Sequence, residues 1–307
     1  MDPILATAMF VAGLAFGSFL NVCIYRMPRD LSVVFPRSAC PHCKKMIAFY
    51  DNVPVLSWLI LGGRCRQCKN RISPRYLLTE LLIGVLFVAC YWQFGLTLAT
   101  LKYCVFGYLL IGLIFTDAET KLLPNKLTLP GLVIGLIFSL FVPVNDLASQ
   151  LLPGLVRLPS NPQLTLNLLS FADACLGAIV GASFIYGVGA AYLLARGVEG
   201  MGFGDVKLMA MVGAFLGMKL TIFTLMTGAV TGSLFGLSTI FFVWIKRTRR
   251  LITRQHTSAA AARARAWQSA KLVYRHYQMP FGVFLGSMAV VALFFGNQVI
   301  TWYWGLL

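Results

Sequence analysis

A chain of 307 residues that is 58% hydrophobic, with a mean hydropathy of +0.78, carries too little polar surface to fold as a water-soluble globule. Its 26 Lys and Arg against 10 Asp and Glu give a net charge of +16. That balance would suit nucleic acid on a soluble face, but here the cations sit in loops abutting apolar runs, so membrane topology and anionic membrane lipid account for them and no nucleic-acid partner is expected.

The expected fold is an all-α polytopic membrane protein of about eight transmembrane helices. Charge-poor apolar windows place the spans at 4–24, 77–94, 101–116, 127–143, 171–195, 206–218, 220–245 and 281–304, the third and sixth being short. Before the first run there is Asp2 and no cation, so the positive region of a cleaved signal is lacking and residues 1–24 are read as a retained anchor. Residues 25–76 form a small cytosolic domain between the first two spans, and 77–307 form the embedded body. The connector 144–170, rich in Pro, Asn and Ser, reads as external. The basic stretch 246–279, with Ala259 to Ala262 followed by Arg263 and Arg265, is either a helix lying on the inner leaflet or a solvated loop. No internal repeat of the transporter kind is present.

Orientation follows from the cations. Ten lie between Arg26 and Arg75 and nine between Lys246 and Arg275; with eight spans both groups share one side with Lys121, Lys126, Arg196 and Lys207, leaving Lys102, Arg157 and Lys219 opposite. The positive-inside rule makes the basic side cytoplasmic.

Within 25–76 the chain reads Cys40-Pro41-His42-Cys43 and, after twenty-one intervening residues, Cys65-Arg66-Gln67-Cys68. Two such knuckles offer four thiolates to a tetrahedral Zn²⁺ and leave no open position, a structural rather than catalytic arrangement. In a reducing compartment this is favoured over disulfides, with a redox pair or unligated thiols as the other readings. Cys23, Cys90, Cys104 and Cys175 stand apart in apolar runs as small buried hydrophobes.

Carboxylates at membrane depth are costly and mark functional positions. Asp117 ends the third span and Asp205 begins the sixth, both on the basic side, so they can meet and act as a pair in which one group is protonated and the other ionised. Gly202 and Gly204 leave room for an extended substrate backbone beside Asp205. Equally, Asp205 can be a helix N-cap and Asp117 a loop acid balanced by Lys121. Glu119 and Glu199 flank the pair as decoys, and Glu80 is expected to find an ion pair with Arg75.

These segments in order resemble the prepilin peptidase family of bacterial inner-membrane enzymes. The likeness runs through Gly17-Ser18-Phe19-Leu20-Asn21-Val22, Tyr25-Arg26-Met27-Pro28, the four cysteines, Asp51 to Leu59, Ile72-Ser73-Pro74-Arg75-Tyr76, Glu80, Thr116 to Asn125, and Glu199 to Leu208 with its Gly-Phe-Gly-Asp core. The resemblance implies a multi-pass aspartic endopeptidase whose catalytic acids are Asp117 and Asp205 and whose active site lies at the cytoplasmic face. Its substrates would be type IV prepilins or type II secretion pseudopilins, cut after the glycine that ends a short basic leader. It also implies N-methylation of the new N-terminus with S-adenosylmethionine, an activity associated with the cysteine-bearing domain; no Gly-rich nucleotide loop marks where that donor binds. Leu77, Asn125 and Val283 depart from the family pattern, proline being frequent at the last. A proton-coupled transporter and a non-catalytic zinc-containing scaffold are the competing classes; the first should carry acids in mid-span.

Overall fold

Helices make up nearly all of the structure, and two isolated bridges are its only β pairing among the described residues. It is a computed structural model that describes residues 2–143, 162–198, 202–255, 258–276 and 280–305. Helix α1 (Pro3–Arg26) starts where Asp2 accepts the Ile4 N–H at 2.9 Å with Pro3 at its first position. A short helix α2 (Leu56–Ile60) lies in the intervening domain, and α3 (Arg75–Phe94), α4 (Leu98–Thr120) and α5 (Asn125–Ser139) follow. Small residues let α1 lie directly on α3: a Cβ added at Gly13 would come within 2.7 Å of Gly84 Cα, and one at Gly17 within 2.7 Å of Glu80 Cα.

After α6 (Pro162–Arg196), helix α7 (Phe203–Gln255) is two legs rather than one rod. Gly217 has φ 78° and ψ 178°, a backbone conformation that only glycine adopts readily. A Cβ on Gly181 of α6 would touch both Met209 O at 2.6 Å and Thr221 Cγ2 at 3.0 Å. Twelve residues of straight helix would hold those two atoms about 18 Å apart, so the chain turns back at Gly217. Among the described residues six helices are long and apolar enough to cross a membrane; separating the two legs of α7 and adding the fifteen-residue α5 gives the eight apolar runs expected from sequence. The third run is a full 23-residue helix rather than a short one. Of the connector 144–170, residues 162–170 belong to α6, while 144–161 lie outside the described residues.

The core forms where α4, α5, α6 and both legs of α7 meet α9 (Phe281–Val291). Phe106 stacks on Phe215 with ring centroids 4.7 Å apart, and Leu110, Met209, Met211 and Leu216 close around them. The final helix continues through a π turn, Ala292–Gly296, into α10 (Asn297–Trp304).

The described residues of the basic stretch are helical, and they pack on one another in two helices rather than standing as one. Helix α7 continues as far as Gln255, and α8 (Ala259–His276) folds back against it. The alanines make this possible: Ala262 and Ala266 are fully buried, Trp244 Nε1 donates to Arg263 O at 3.2 Å, and the Trp244 and Trp267 rings meet edge to face.

Candidate active site and metal centre

Helix α4 ends when Lys121 adopts a left-handed conformation and donates its N–H to Asp117 O at 2.9 Å. Asp117 is thereby held in the last turn, 5% exposed, with its carboxylate turned toward the start of α9. Oδ2 accepts the Val283 N–H at 3.0 Å, a donor from the first turn of a helix whose positive end favours an anion. Gly282 lies so close that an added Cβ would stand 2.9 Å from that oxygen.

Asp205 is the third residue of α7 and 8% exposed. Helix α7 begins two residues before it, so Asp205 is not an N-cap; its own N–H donates to Gly202 O at 3.1 Å. Leu123 joins the two halves of the site, since it would lie 3.0 Å from a Cβ on Gly204 and 3.2 Å from one on Gly282. Lys207 Nζ donates to Asn125 Oδ1 at 2.7 Å, a second tie between the loop after Asp117 and the helix that carries Asp205. Leu123 and the Lys207–Asn125 bond thus bring the start of α7, with Asp205, up to the end of α4, with Asp117.

The two glycines before Asp205 differ. Gly204 is filled against by Leu123, whereas Gly202 is exposed, and among the described residues an added Cβ there would meet only Gly204 N, at 3.9 Å. Of the flanking acids, Glu119 is engaged by Arg75, and Glu199 lies outside the described residues. The expected Glu80–Arg75 pair does not form. Five residues along a helix is about 140° around its axis, so the two side chains leave α3 on different faces. Glu80, nearly buried, instead accepts the Val55 N–H at 2.7 Å. Val55 has φ 61°, an uncommon state for a β-branched residue, at the point where the cysteine-bearing segment returns to the membrane body.

The four thiols converge with all Sγ atoms within 4.8 Å of one another, and Cys40 Sγ and Cys68 Sγ are 3.8 Å apart. Sulfurs about 2.3 Å from a tetrahedral Zn²⁺ would be separated by about 3.8 Å, so the residues fit such an ion. The knuckles repeat each other's backbone. Lys44 N–H bonds Cys40 O and Lys69 N–H bonds Cys65 O, both lysines are left-handed, and Cys40 and Cys65 donate to Lys45 O and Asn70 O. N–H groups of Cys68 and Gln67 aimed at Cys65 bring its thiol down to about 7, toward the thiolate a metal needs. Asp51 braces the second knuckle through a forked contact with Arg66 at 2.7–2.8 Å, which holds its carboxyl below the usual range.

The sequence matches two family models: residues 11–94 the bacterial peptidase A24 N-terminal domain, and residues 104–237 the type IV leader peptidase family. Among curated relatives, a prepilin leader peptidase/N-methyltransferase of Aeromonas hydrophila is 32% identical over 319 residues, covering 96% of this chain and 92% of that protein. Proteins of the same name from Neisseria gonorrhoeae (36% identical; 71% of this chain, 77% of the relative) and Myxococcus xanthus (39%; 77% and 65%) are also similar. No solved structure matches the chain.

Proposed function

This chain belongs to the type IV leader peptidase family, and we propose on that premise that it cleaves prepilins or pseudopilins with Asp117 and Asp205 as its catalytic pair. The observation that carries the assignment is the convergence of these two nearly buried carboxyls, 88 positions apart in sequence, across Leu123 and Gly282. Two carboxyls in a site of low polarity share a proton more readily than they carry two charges, which is the state peptide hydrolysis requires. The ionised member takes a proton from water as the water oxygen attacks the scissile carbonyl. The protonated member hydrogen-bonds the carbonyl oxygen, and protonation of the leaving nitrogen then lets the C–N bond break. The open face at Gly202 supports an extended substrate backbone passing beside Asp205. The acids stand at helix ends, not at mid-span where a proton relay would place them.

The second activity, methylation of the new N-terminal amine, rests on the relatives' name. S-adenosylmethionine would supply the methyl group that this amine accepts. The four cysteines would hold one structural zinc that keeps the 25–76 segment folded. The site is read as opening on the cytoplasmic side of the bacterial inner membrane, the side to which the positive-inside rule assigns both basic segments.

The deciding experiment supplies the purified protein with a prepilin and labelled S-adenosylmethionine and reads fragment masses. Asp117→Asn and Asp205→Asn should each abolish leader removal, because asparagine cannot take both protonation roles. The same variants should still methylate a substrate already trimmed to its mature N-terminus. Turnover of intact prepilin by either variant defeats the assignment of the pair.

A further inference from the structure

Midway between the two cysteine knuckles the chain makes a backbone turn that is costly by itself. Val55 has φ 61° and ψ −54°, and Leu56 N–H reaches back to Pro54 O at 2.6 Å. A bond from residue i to i+2 around those angles is the positive-φ γ-turn, which L residues rarely adopt, and a β-branched side chain makes it costlier still. Strain of this kind persists only where neighbouring groups hold it. The Val55 N–H is held by Glu80 Oε2 at 2.7 Å, a carboxylate that peptide hydrolysis does not use.

Glu80 is a firm point of attachment. It lies in the second turn of α3, 8% exposed, where α1 comes closest, since a Cβ on Gly17 would stand 2.7 Å from its Cα. One turn along α1, Asn21 Nδ2 donates to Tyr76 O at 3.0 Å and pins the start of α3 as well. On the other side of the turn the contacts lead to a knuckle. Val53 N–H donates to Ser57 Oγ at 3.1 Å, and Ser57 Oγ donates to Tyr50 O at 3.0 Å. Arg66 lies over the Tyr50 ring, 5.6 Å from its centroid, and forks onto Asp51 beside it. Cys65 is the next residue back along the chain from Arg66. A continuous set of contacts therefore runs from a nearly buried carboxylate in the membrane body, through one strained residue, to the second Cys-x-x-Cys knuckle.

We propose that Glu80 is a positioning residue for methyl transfer: by holding Val55 in its strained turn, it sets the pose of the cysteine-bearing segment against the membrane body. This rests on the reading of that segment as the methyl-transferring part of the chain. Without the acceptor, Val55 relaxes to an ordinary φ and the segment loses its fixed pose. The knuckles do not include Glu80, so they stay formed. Methyl transfer, which depends on how donor and amine are aligned, is then lost ahead of zinc and ahead of leader cleavage.

The test uses the full chain in detergent with pre-trimmed substrate and labelled S-adenosylmethionine, read beside leader cleavage, zinc content and limited proteolysis near Val55. Glu80→Ala should lower kcat for methylation about tenfold or more, with faster proteolysis near Val55. Zinc should stay at the parent level, and leader cleavage should change less than about twofold. Glu80→Gln, whose amide oxygen still accepts the Val55 N–H, should keep most of the methylation rate. Val55→Gly adopts the turn without strain, so adding it to Glu80→Ala should recover most of the lost rate, whereas a carboxylate acting on the amine or the donor itself would give no recovery. If Glu80→Ala loses leader cleavage as well, Val55→Pro decides: it removes the N–H without touching the contact of α1 with α3, and should reproduce the loss of methylation. Methylation at the parent rate by folded Glu80→Ala or Val55→Pro overturns the proposal, as does loss of zinc together with methylation or the absence of any recovery with Val55→Gly. A parent protein that transfers no methyl group defeats the reading of the segment instead; equal proteolysis near Val55 in parent and Glu80→Ala then overturns the positioning role.

Discussion

Replacing Gly282 by alanine tests the site at its tightest point. The new Cβ would stand 2.9 Å from Asp117 Oδ2, 3.2 Å from its Cγ and 3.2 Å from Leu123 Cδ1. Ordinary contact begins near 3.4 Å, so the carboxylate oxygen must withdraw by about 0.5 Å or α9 must shift by as much. Either movement also stretches the 3.0 Å bond from Val283 N–H that anchors that oxygen. Overpacking of this kind costs about 1–3 kcal/mol of stability. Misplacing a reacting group by up to 1 Å costs up to about 100-fold in rate. Leader cleavage by Gly282→Ala should therefore fall between about tenfold and 100-fold in kcat with a much smaller change in KM, measured on detergent-solubilised enzyme by the appearance of mature pilin. Methylation of pre-trimmed substrate should be nearly unchanged, because the cysteine-bearing segment does not touch Gly282. Wild-type cleavage by a folded Gly282→Ala protein would refute the claim that Asp117 is positioned through this contact.

Cys65→Ser should abolish stoichiometric zinc and expose residues 25–76 to proteolysis; elemental analysis that finds no zinc in the parent protein would remove the metal centre. Gly217→Ala places a side chain in a glycine-only backbone state and should cost about 1–3 kcal/mol, read as a lower unfolding midpoint and lower folded yield in detergent. Glu119→Gln removes a partly exposed ion pair with Arg75, worth about 1 kcal/mol at most, and should leave cleavage within about threefold of the parent rate, separating Glu119 from the catalytic pair. Leu237→Asp, on the lipid-facing surface of α7, should lower membrane-inserted yield by the roughly 2.5–3.5 kcal/mol of a carboxylate at mid-bilayer, whereas Arg250→Asp past Trp244 should not; equal yields would place residues 234–242 outside the membrane.

The features legible in the sequence are those written in side chains at fixed spacing. The paired Cys-x-x-Cys knuckles, the apolar windows and the carboxylates at their ends needed no tertiary information. The break between the sixth and seventh runs was also visible, because Lys219 interrupts the apolar pattern two residues from the actual turn at Gly217. What escaped were contacts made by backbone. Val283 N–H on Asp117 and Val55 N–H on Glu80 leave no trace in residue type, and only the second had an available hint, since an i, i+5 pair is poorly placed to meet on a helix. The hairpin of α7 and α8 was missed for a related reason: an alanine-rich basic segment presents the same composition whether its small face packs on a helix or faces water.

The reversal at Gly217 bears on the depth of the chemistry as well as on topology. From Gly217 to Asp205 is twelve residues, about 18 Å, so the first leg of α7 covers little more than half of a hydrocarbon core about 30 Å thick. The second leg runs back beside α9, with Gly232 near Phe281 and hence near the level of Asp117, and continues through twelve more residues, about 18 Å, to Trp244. Exposed Leu234, Leu237, Phe241 and Phe242 line that continuation. Asp117 and Asp205, 5% and 8% exposed, are shielded from bulk water by the protein itself, which strengthens the interaction between two carboxyls and favours a shared proton. The short leg is therefore a chemical requirement: a longer leg rising from the same turn at Gly217 would carry Asp205 past Asp117, where neither group has reason to hold the other's proton.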